Sequence, residues 1–189
     1  MFLGIEIGGT KLQLGVGAGE GEFVVAPEPI LVDRAAGAEG IRREIVKRAS
    51  LLISRHAVER IGFGFGGPID AARGRTITSH QIAGWDDFPI VEWCRDALRL
   101  PSTLGNDADL AALAEAKFGA GRGCDPVFYV TVGTGIGGAT TLVVLPPNAH
   151  LQNAIGQRTH LSTGDVDALR LVYGSSTPPQ LTAVSPSTV

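Results

Sequence analysis

Residues 3–17, LGIEIGGTKLQLGVG, limit the chain more than any other stretch. Two apolar runs of strand length are broken at Gly8-Gly9-Thr10, with Glu6 before the break and Lys11 after it. FLGIEI and KLQLGV read as two strands joined by a tight corner, and GEFVVA adds a third after the loop GAGEG, which makes a β-meander with glycine-rich corners. The design returns in VFYVTVGTGIGGATTLVVL: an apolar strand, glycines with a threonine, then a β-branched strand. The chain therefore carries two copies of one hairpin.

Helices and one further strand separate the copies. From Gly37 to Arg60 the apolar residues Ile41, Ile45, Val46, Ala49, Leu52 and Ile53 recur at helical spacing between charged residues, which predicts an amphipathic helix covering the sheet. RIGFGFGGPID reads as a strand ending in a Gly-Gly-Pro turn, so the helix before it is a crossover back onto the sheet. A second helix, about Pro89 to Leu100, follows the loop SHQIAGWDDF. Residues 106–118 combine an Asn cap, early acids, an alanine-rich body and Gly119 as a stop, which predicts a third helix with Asp107 in its first turn. The class is α/β.

Composition narrows the partners. The 189 residues carry 16 basic and 19 acidic side chains, a net charge of -3, so there is no large positive field for nucleic acid or an anionic membrane. Cys94 and Cys124 stand far apart with no CxxC pattern, which argues against a disulfide framework or structural zinc and fits a reducing cytoplasm. Neither a signal peptide nor a membrane span is expected, because the longest apolar runs are strand-sized. From 140 onward only Arg158, Asp165, Asp167 and Arg170 are charged, and Ser, Thr and Pro crowd the end; a short helix near 165–173 and otherwise little order are expected there.

A glycine corner between strands lets backbone N–H groups approach an anion without Cβ atoms in the way, so IGGTK is suited to phosphate, although a single such corner reads first as an ordinary hairpin turn. The second copy, VGTGIGG, favours phosphate, since two half-sites facing each other could clamp a nucleotide. No GxxxxGK[ST] loop is present. The G-x-G-x-x-G pattern occurs at Gly62/Gly64/Gly67 and at Gly133/Gly135/Gly138, but no helix is expected to start at either, which argues against a dinucleotide fold. Asp107 has two readings, a first-turn acid facing the helix dipole or a general base, and composition alone favours the first. Trp85 reads as packing rather than as a pocket wall, and His56, His80, His150 and His160 show no metal-ligand or nucleophile spacing.

Taken in order, GIEIGGTK, GFGGPID, GWDDFPI, NDADLAALAEAKFGAGRG and YVTVGTGIGG strongly resemble the ROK family of bacterial sugar kinases, which includes microbial glucokinases; the likeness runs from residue 2 to about 139. The resemblance implies an actin-like ATPase (ribonuclease H-like) fold, a mixed sheet with flanking helices, two related lobes and a cleft for ATP and a hexose. It puts the first phosphate loop on Gly8, Gly9, Thr10 and Lys11, and the second on Gly133, Thr134, Gly135, Ile136, Gly137 and Gly138. The family's catalytic base falls on Asp107, with Asn106 and the turn Gly66-Gly67-Pro68 lining the sugar pocket. Glu6 stands where many relatives carry an Asp that helps place Mg2+; the longer side chain shifts the carboxylate by about one bond, and a hard cation still accepts it.

Departures from the family pattern set further expectations. Asp109 replaces the last Asn of NDAN and Gly105 stands where an acid is common, an added charge expected to raise the Asp107 pKa modestly. No GE-x-GH segment and no CxCGxxGCxE motif is found, so zinc is not expected and the second lobe reads as truncated, through a shifted frame or a shortened gene. The expected organisation is a sugar-kinase lobe over 1–120, the start of the second lobe over 121–145, and a divergent tail over 146–189. The leading reading is a cytoplasmic, ATP-dependent glucokinase-like enzyme whose partners are a hexose and ATP, with a homodimer left open. The alternatives are a non-catalytic sugar-binding or partner-binding remnant and, discounted because only Met1-Phe2-Leu3 precede the first motif, a ROK-type transcriptional regulator lacking its DNA-binding domain.

Overall fold

The structure is a computed structural model that describes residues 1–123 together with 127, 129, 131–132 and 136–137. It divides into two compact units, Met1–Ala114 and Glu115–Val189. The first holds strands β1 (Phe2–Ile7), β2 (Lys11–Gly17), β3 (Phe23–Val25) and β4 (Ile30–Leu31), then helix α1 (Gly37–Arg55), β5 (Arg60–Phe65), the small pair β6 (Ile69–Asp70) and β7 (Arg75–Thr76), helix α2 (Ile90–Leu98) and β8 (Ser102–Asn106). Helix α3 (Asp107–Phe118) starts directly from β8.

The main sheet has the order β3-β2-β1-β5-β8, with β4 pairing to the free part of β2. Strands β1, β2 and β3 form the antiparallel meander expected from the opening motif, whereas β5 joins β1 and β8 joins β5 in parallel. The sheet is therefore mixed, and α1 and α2 lie in the two connections between its parallel strands.

Period-2 alternation settles which face is covered. Leu3, Ile5 and Ile7 are buried, in register with Ile61, Phe63 and Phe65, and Leu104 continues the row on β8. They share one core with Ala38, Ile41, Ile45 and Ala49 of α1 and Ile90, Cys94 and Leu98 of α2, each fully buried Leu, Ile or Phe side chain contributing about 1.5–3 kcal/mol. The other face is glycine-rich: Gly4 pairs with Gly62, and Glu6 with Gly64, which in turn pairs with Gly105. Gly64 and Gly105 admit α3. A Cβ on Gly105 would lie 2.8 Å from Leu110 Cγ, and one on Gly64 would lie 3.5 Å from Leu110 Cδ1 and 3.8 Å from Asp107 Cα.

Several elements differ from the sequence reading. Helix α1 stops at Arg55, short of Arg60, because His56 turns extended and Arg60 already belongs to β5. Helix α2 is likewise shorter, ending at Leu98 with Arg99 in the left-handed conformation ahead of Pro101. Strands β4 and β8 and the pair β6–β7 were not expected from the sequence. In the second unit, Thr131–Val132 (β9) pairs antiparallel with Ile136–Gly137 (β10), and Gly119 N–H donates to the Glu115 carbonyl at the end of α3. Gly133, Thr134, Gly135 and Gly138, the expected helix near 165–173 and the tail after 146 lie outside the described residues.

Candidate active site

Three parallel strands end side by side, with Ile7 of β1, Phe65 of β5 and Asn106 of β8 in register. The segments leaving these ends are Gly8-Gly9-Thr10, Gly66-Gly67-Pro68 and the first turn of α3. In open α/β sheets, the carboxyl ends of the strands are where ligand sites form.

The first corner is tight. Gly8 N–H donates to the Lys11 carbonyl at 2.9 Å, and a Cβ on Gly8 would lie 3.1 Å from that oxygen. Val32 N–H holds the Thr10 carbonyl at 2.9 Å, fastening the corner to the end of β4. The second corner is tied to the first by Gly66 N–H, which donates to the Ile7 carbonyl at 2.9 Å.

Asp107 closes the group. A Cβ on Gly66 would lie 3.1 Å from Asp107 Oδ2, 3.3 Å from the Ile7 carbonyl oxygen and 3.5 Å from Gly8 Cα. The absence of a side chain at Gly66 thus allows an Asp107 carboxylate oxygen to stand against the turn and beside the glycine corner. Asp107 Oδ1 accepts from Ala108 N–H at 2.8 Å, which orients the carboxylate at the start of the helix.

Asn106 is 5% exposed and joins the second corner to the helix start. Its Nδ2 donates to the carbonyls of Phe65 at 3.3 Å and Gly67 at 3.1 Å. Its Oδ1 accepts from Ala108 N–H at 3.1 Å and Asp109 N–H at 3.3 Å, the cap predicted for this helix. To the sugar contact implied by the family resemblance, the structure adds a positioning role, because Asn106 locks the Gly66-Gly67 turn to the helix start that carries Asp107.

Glu6 and Lys11 project on the side of the sheet where α3 sits. A Cβ on Gly64 would be 4.0 Å from Glu6 Cγ and 3.8 Å from Asp107 Cα, so the two acids converge over one glycine. Glu6 keeps solvent exposure, yet its crowded surroundings strip enough hydration to hold its carboxyl above the ordinary range; Asp107 adds to the rise and Lys11 opposes it. A carboxyl that binds its proton more tightly folded than unfolded favours folding below its ordinary pKa of 4.5, and this contribution is lost as pH rises through the raised value. Glu6→Gln, which carries no charge, is therefore expected to raise the urea midpoint near ~pH 7, with the advantage vanishing by ~pH 4. Equal midpoints at both pH values would show that Glu6 is not strained by its setting.

Among the described residues no group of three His, Cys, Asp or Glu side chains stands together as a metal cage. Two neighbouring carboxylates, one of them disfavoured in its charged form, suit Mg2+, which takes one or two carboxylates and completes its shell with water and phosphate oxygens.

The structure thus brings Glu6, Gly8, Gly66, Asn106 and Asp107 to one place, with Gly67, Pro68 and Lys11 adjoining. Sequence reasoning missed Gly64 and, just beyond the corner, Arg34 and Gln81. Gly64 could have been found from the strand register, since it pairs with Glu6; Arg34 and Gln81 carry no local pattern.

A mixed α/β sheet with this arrangement at its carboxyl ends defines the class of an actin-like ATPase lobe, and comparison with known proteins agrees. Residues 2–145 match the ROK family, and the chain belongs to it. It is 32% identical over 141 residues to a putative fructokinase from Bacillus subtilis, covering 72% of this chain and 44% of that protein. It is also 32% identical over 146 residues to a glucokinase from Streptomyces coelicolor, covering 73% and 42%. Among solved structures, a ROK family glucokinase from Streptomyces griseus in complex with glucose and AMPPNP superposes with a TM-score of 0.64 at 34% identity, covering 72% of this chain and 42% of that one. The chain spans less than half the length of these relatives. No helix among the described residues is long and apolar enough to cross a membrane.

Proposed function

We propose that the chain provides the first lobe of a cytoplasmic, ATP-dependent hexose kinase of the glucokinase kind. The observation that carries this reading is the placement of Asp107 Oδ2 against Gly66 and next to Gly8, which puts a carboxylate between a turn suited to the sugar and a corner suited to phosphate. Asp107 accepts the proton of the attacking sugar hydroxyl; that oxygen bonds to the γ-phosphorus as the bond to the β–γ bridging oxygen breaks, and ADP leaves. Gly66, Gly67 and Pro68 line the sugar side, with Asn106 behind them. Gly8, Gly9, Thr10 and Lys11 hold phosphate. Glu6 would hold Mg2+, which when bound would neutralise charge on the phosphates.

An ADP-coupled assay with glucose, N-acetylglucosamine, mannose and fructose tests the reading, with Asp107→Asn as control. ADP release that needs both hexose and Asp107 supports it. Hexose binding by calorimetry without ADP release would replace the enzyme by the non-catalytic sugar-binding reading.

A further inference from the structure

The glycine corner is held from outside by two exposed side chains that neither the sequence motifs nor the proposed chemistry employs. Arg34 Nε donates to the Gly9 carbonyl at 3.2 Å, and Arg34 Nη2 donates to Gln81 Oε1 at 3.3 Å. The Gln81 carboxamide lies directly over Gly9: a Cβ there would be 1.7 Å from Oε1 and 2.2 Å from Cδ. Both partners are themselves anchored. Arg34 opens a short 3₁₀ turn, Arg34–Ala36, capped by Asp33 Oδ1 accepting from Ala35 N–H at 3.0 Å. Gln81 precedes the buried Ile82, and Ser79 Oγ accepts from the N–H groups of both.

Peptide geometry gives these contacts a consequence. In a trans peptide the carbonyl of Gly9 and the N–H of Thr10 point in opposite directions. A guanidinium holding the Gly9 carbonyl therefore aims the Thr10 amide away from Arg34. The Gly8 N–H and the Thr10 carbonyl are held by backbone bonds, whereas the Gly9–Thr10 peptide between them takes its direction from permissive glycine dihedrals, so a hold on the Gly9 carbonyl directs this amide. The segment that carries Gln81 also reaches the second corner, since a Cβ on Gly67 would be 2.9 Å from the Thr78 carbonyl oxygen and Ile77 N–H donates to the Pro68 carbonyl at 2.9 Å.

We propose that Arg34 and Gln81 are positioning residues for a polyphosphate held at Gly8-Gly9-Thr10, acting as a latch that fixes the Gly9–Thr10 peptide and ties it to the strap 77–82 spanning the two corners. The inference rests on the phosphate reading of the corner given above. It attributes to Arg34 a role through hydrogen-bond geometry, not through its charge, and that distinction is measurable. Lysine keeps the charge but lacks the planar fork that reaches two acceptors at once.

The test uses the full chain and inorganic tripolyphosphate as the probe, with calorimetry for affinity and NMR amide exchange at Gly9 and Thr10 in the free protein. Arg34→Lys and Arg34→Ala are both expected to weaken binding roughly threefold to tenfold and to speed exchange at the corner, as loss of one or two such hydrogen bonds implies. Gln81→Ala should act in the same direction, and the double variant Arg34→Ala/Gln81→Ala should be little worse than Arg34→Ala alone, because one latch is broken in both. Wild-type affinity and exchange in Arg34→Lys would overturn the latch. Absence of tripolyphosphate binding by the unaltered chain would overturn the phosphate reading itself, and normal exchange at the corner in Arg34→Ala would separately show that no latch exists.

Discussion

Asp107→Asn is expected to lower hexose-dependent ADP release by about 10²–10⁴, the usual contribution of a positioned general base, while barely changing stability. Asparagine keeps an oxygen at the position where Asp107 Oδ1 accepts from Ala108 N–H, so the helix start is preserved. It cannot accept the hydroxyl proton. Two small terms act on stability in opposite senses. Removing a first-turn acid forfeits about 0.3–1 kcal/mol of helix-dipole interaction, and it also relieves the repulsion that helps hold the Glu6 carboxyl above its ordinary range. Their near cancellation makes the variant informative, since a rate loss without a shift in the urea midpoint locates the effect in chemistry. Unchanged ADP release would remove Asp107 from the reaction. Asn106→Ala supplies the contrast. It removes one hydrogen bond each from the buried carbonyls of Phe65 and Gly67 and from the N–H groups of Ala108 and Asp109, and so should destabilise by about 1–3 kcal/mol and lose activity through misplacement.

The elements that could be read from the sequence are those with a strong local signal. Alternation marks β1 and β2, helical spacing marks α1, and the Asn106 cap with its alanine-rich body marks α3. Strand β8 carries no such signal: in Ser-Thr-Leu-Gly-Asn only Leu104 is a buried apolar residue, and the segment is extended because β5 offers a partner along its whole length. The pair β6–β7 and the two-residue β4 are also made by tertiary pairing. The site divides along the same line. Glycine corners, Asp107 and Glu6 belong to motifs, so the resemblance names them, and the structure brings Glu6, Gly8, Gly66 and Asp107 together. The role of Gly64 and Gly105 depends on which residues stand beside Glu6 across three strands, and that is a matter of register. Arg34 meets Gly9 across 25 residues of chain and Gln81 across 47, and no spacing rule predicts such a meeting.

Trp85→Ala is expected to cost about 3–5 kcal/mol of folding free energy, read as a fall in the urea midpoint at unchanged slope. The indole is 1% exposed and meets Phe65 edge-on at 5.4 Å between ring centres and Phe88 edge-on at 5.5 Å. The Arg42 guanidinium stands 5.6 Å from the Trp85 ring and 4.4 Å from that of Phe88, and burial there lowers the arginine pKa without making it neutral at any ordinary pH. The Trp85 carbonyl is held as well, accepting from the buried Thr76 hydroxyl at 2.5 Å. Truncation leaves a cavity bordered by two aromatic rings and an arginine whose positive charge loses an aromatic face. Trp85→Phe, which fills part of that space, should cost less than half as much. The loss reaches the site because Phe65 is the residue before Gly66, and the strap carrying Thr78 and Gln81 is held down by Ile82 and Trp85. In Trp85→Ala, exchange at Gly66 and Gly67 should therefore rise by more than the global destabilisation accounts for, whereas a loss below about 1 kcal/mol would mean that the 77–88 segment is anchored by its other contacts and the indole is incidental.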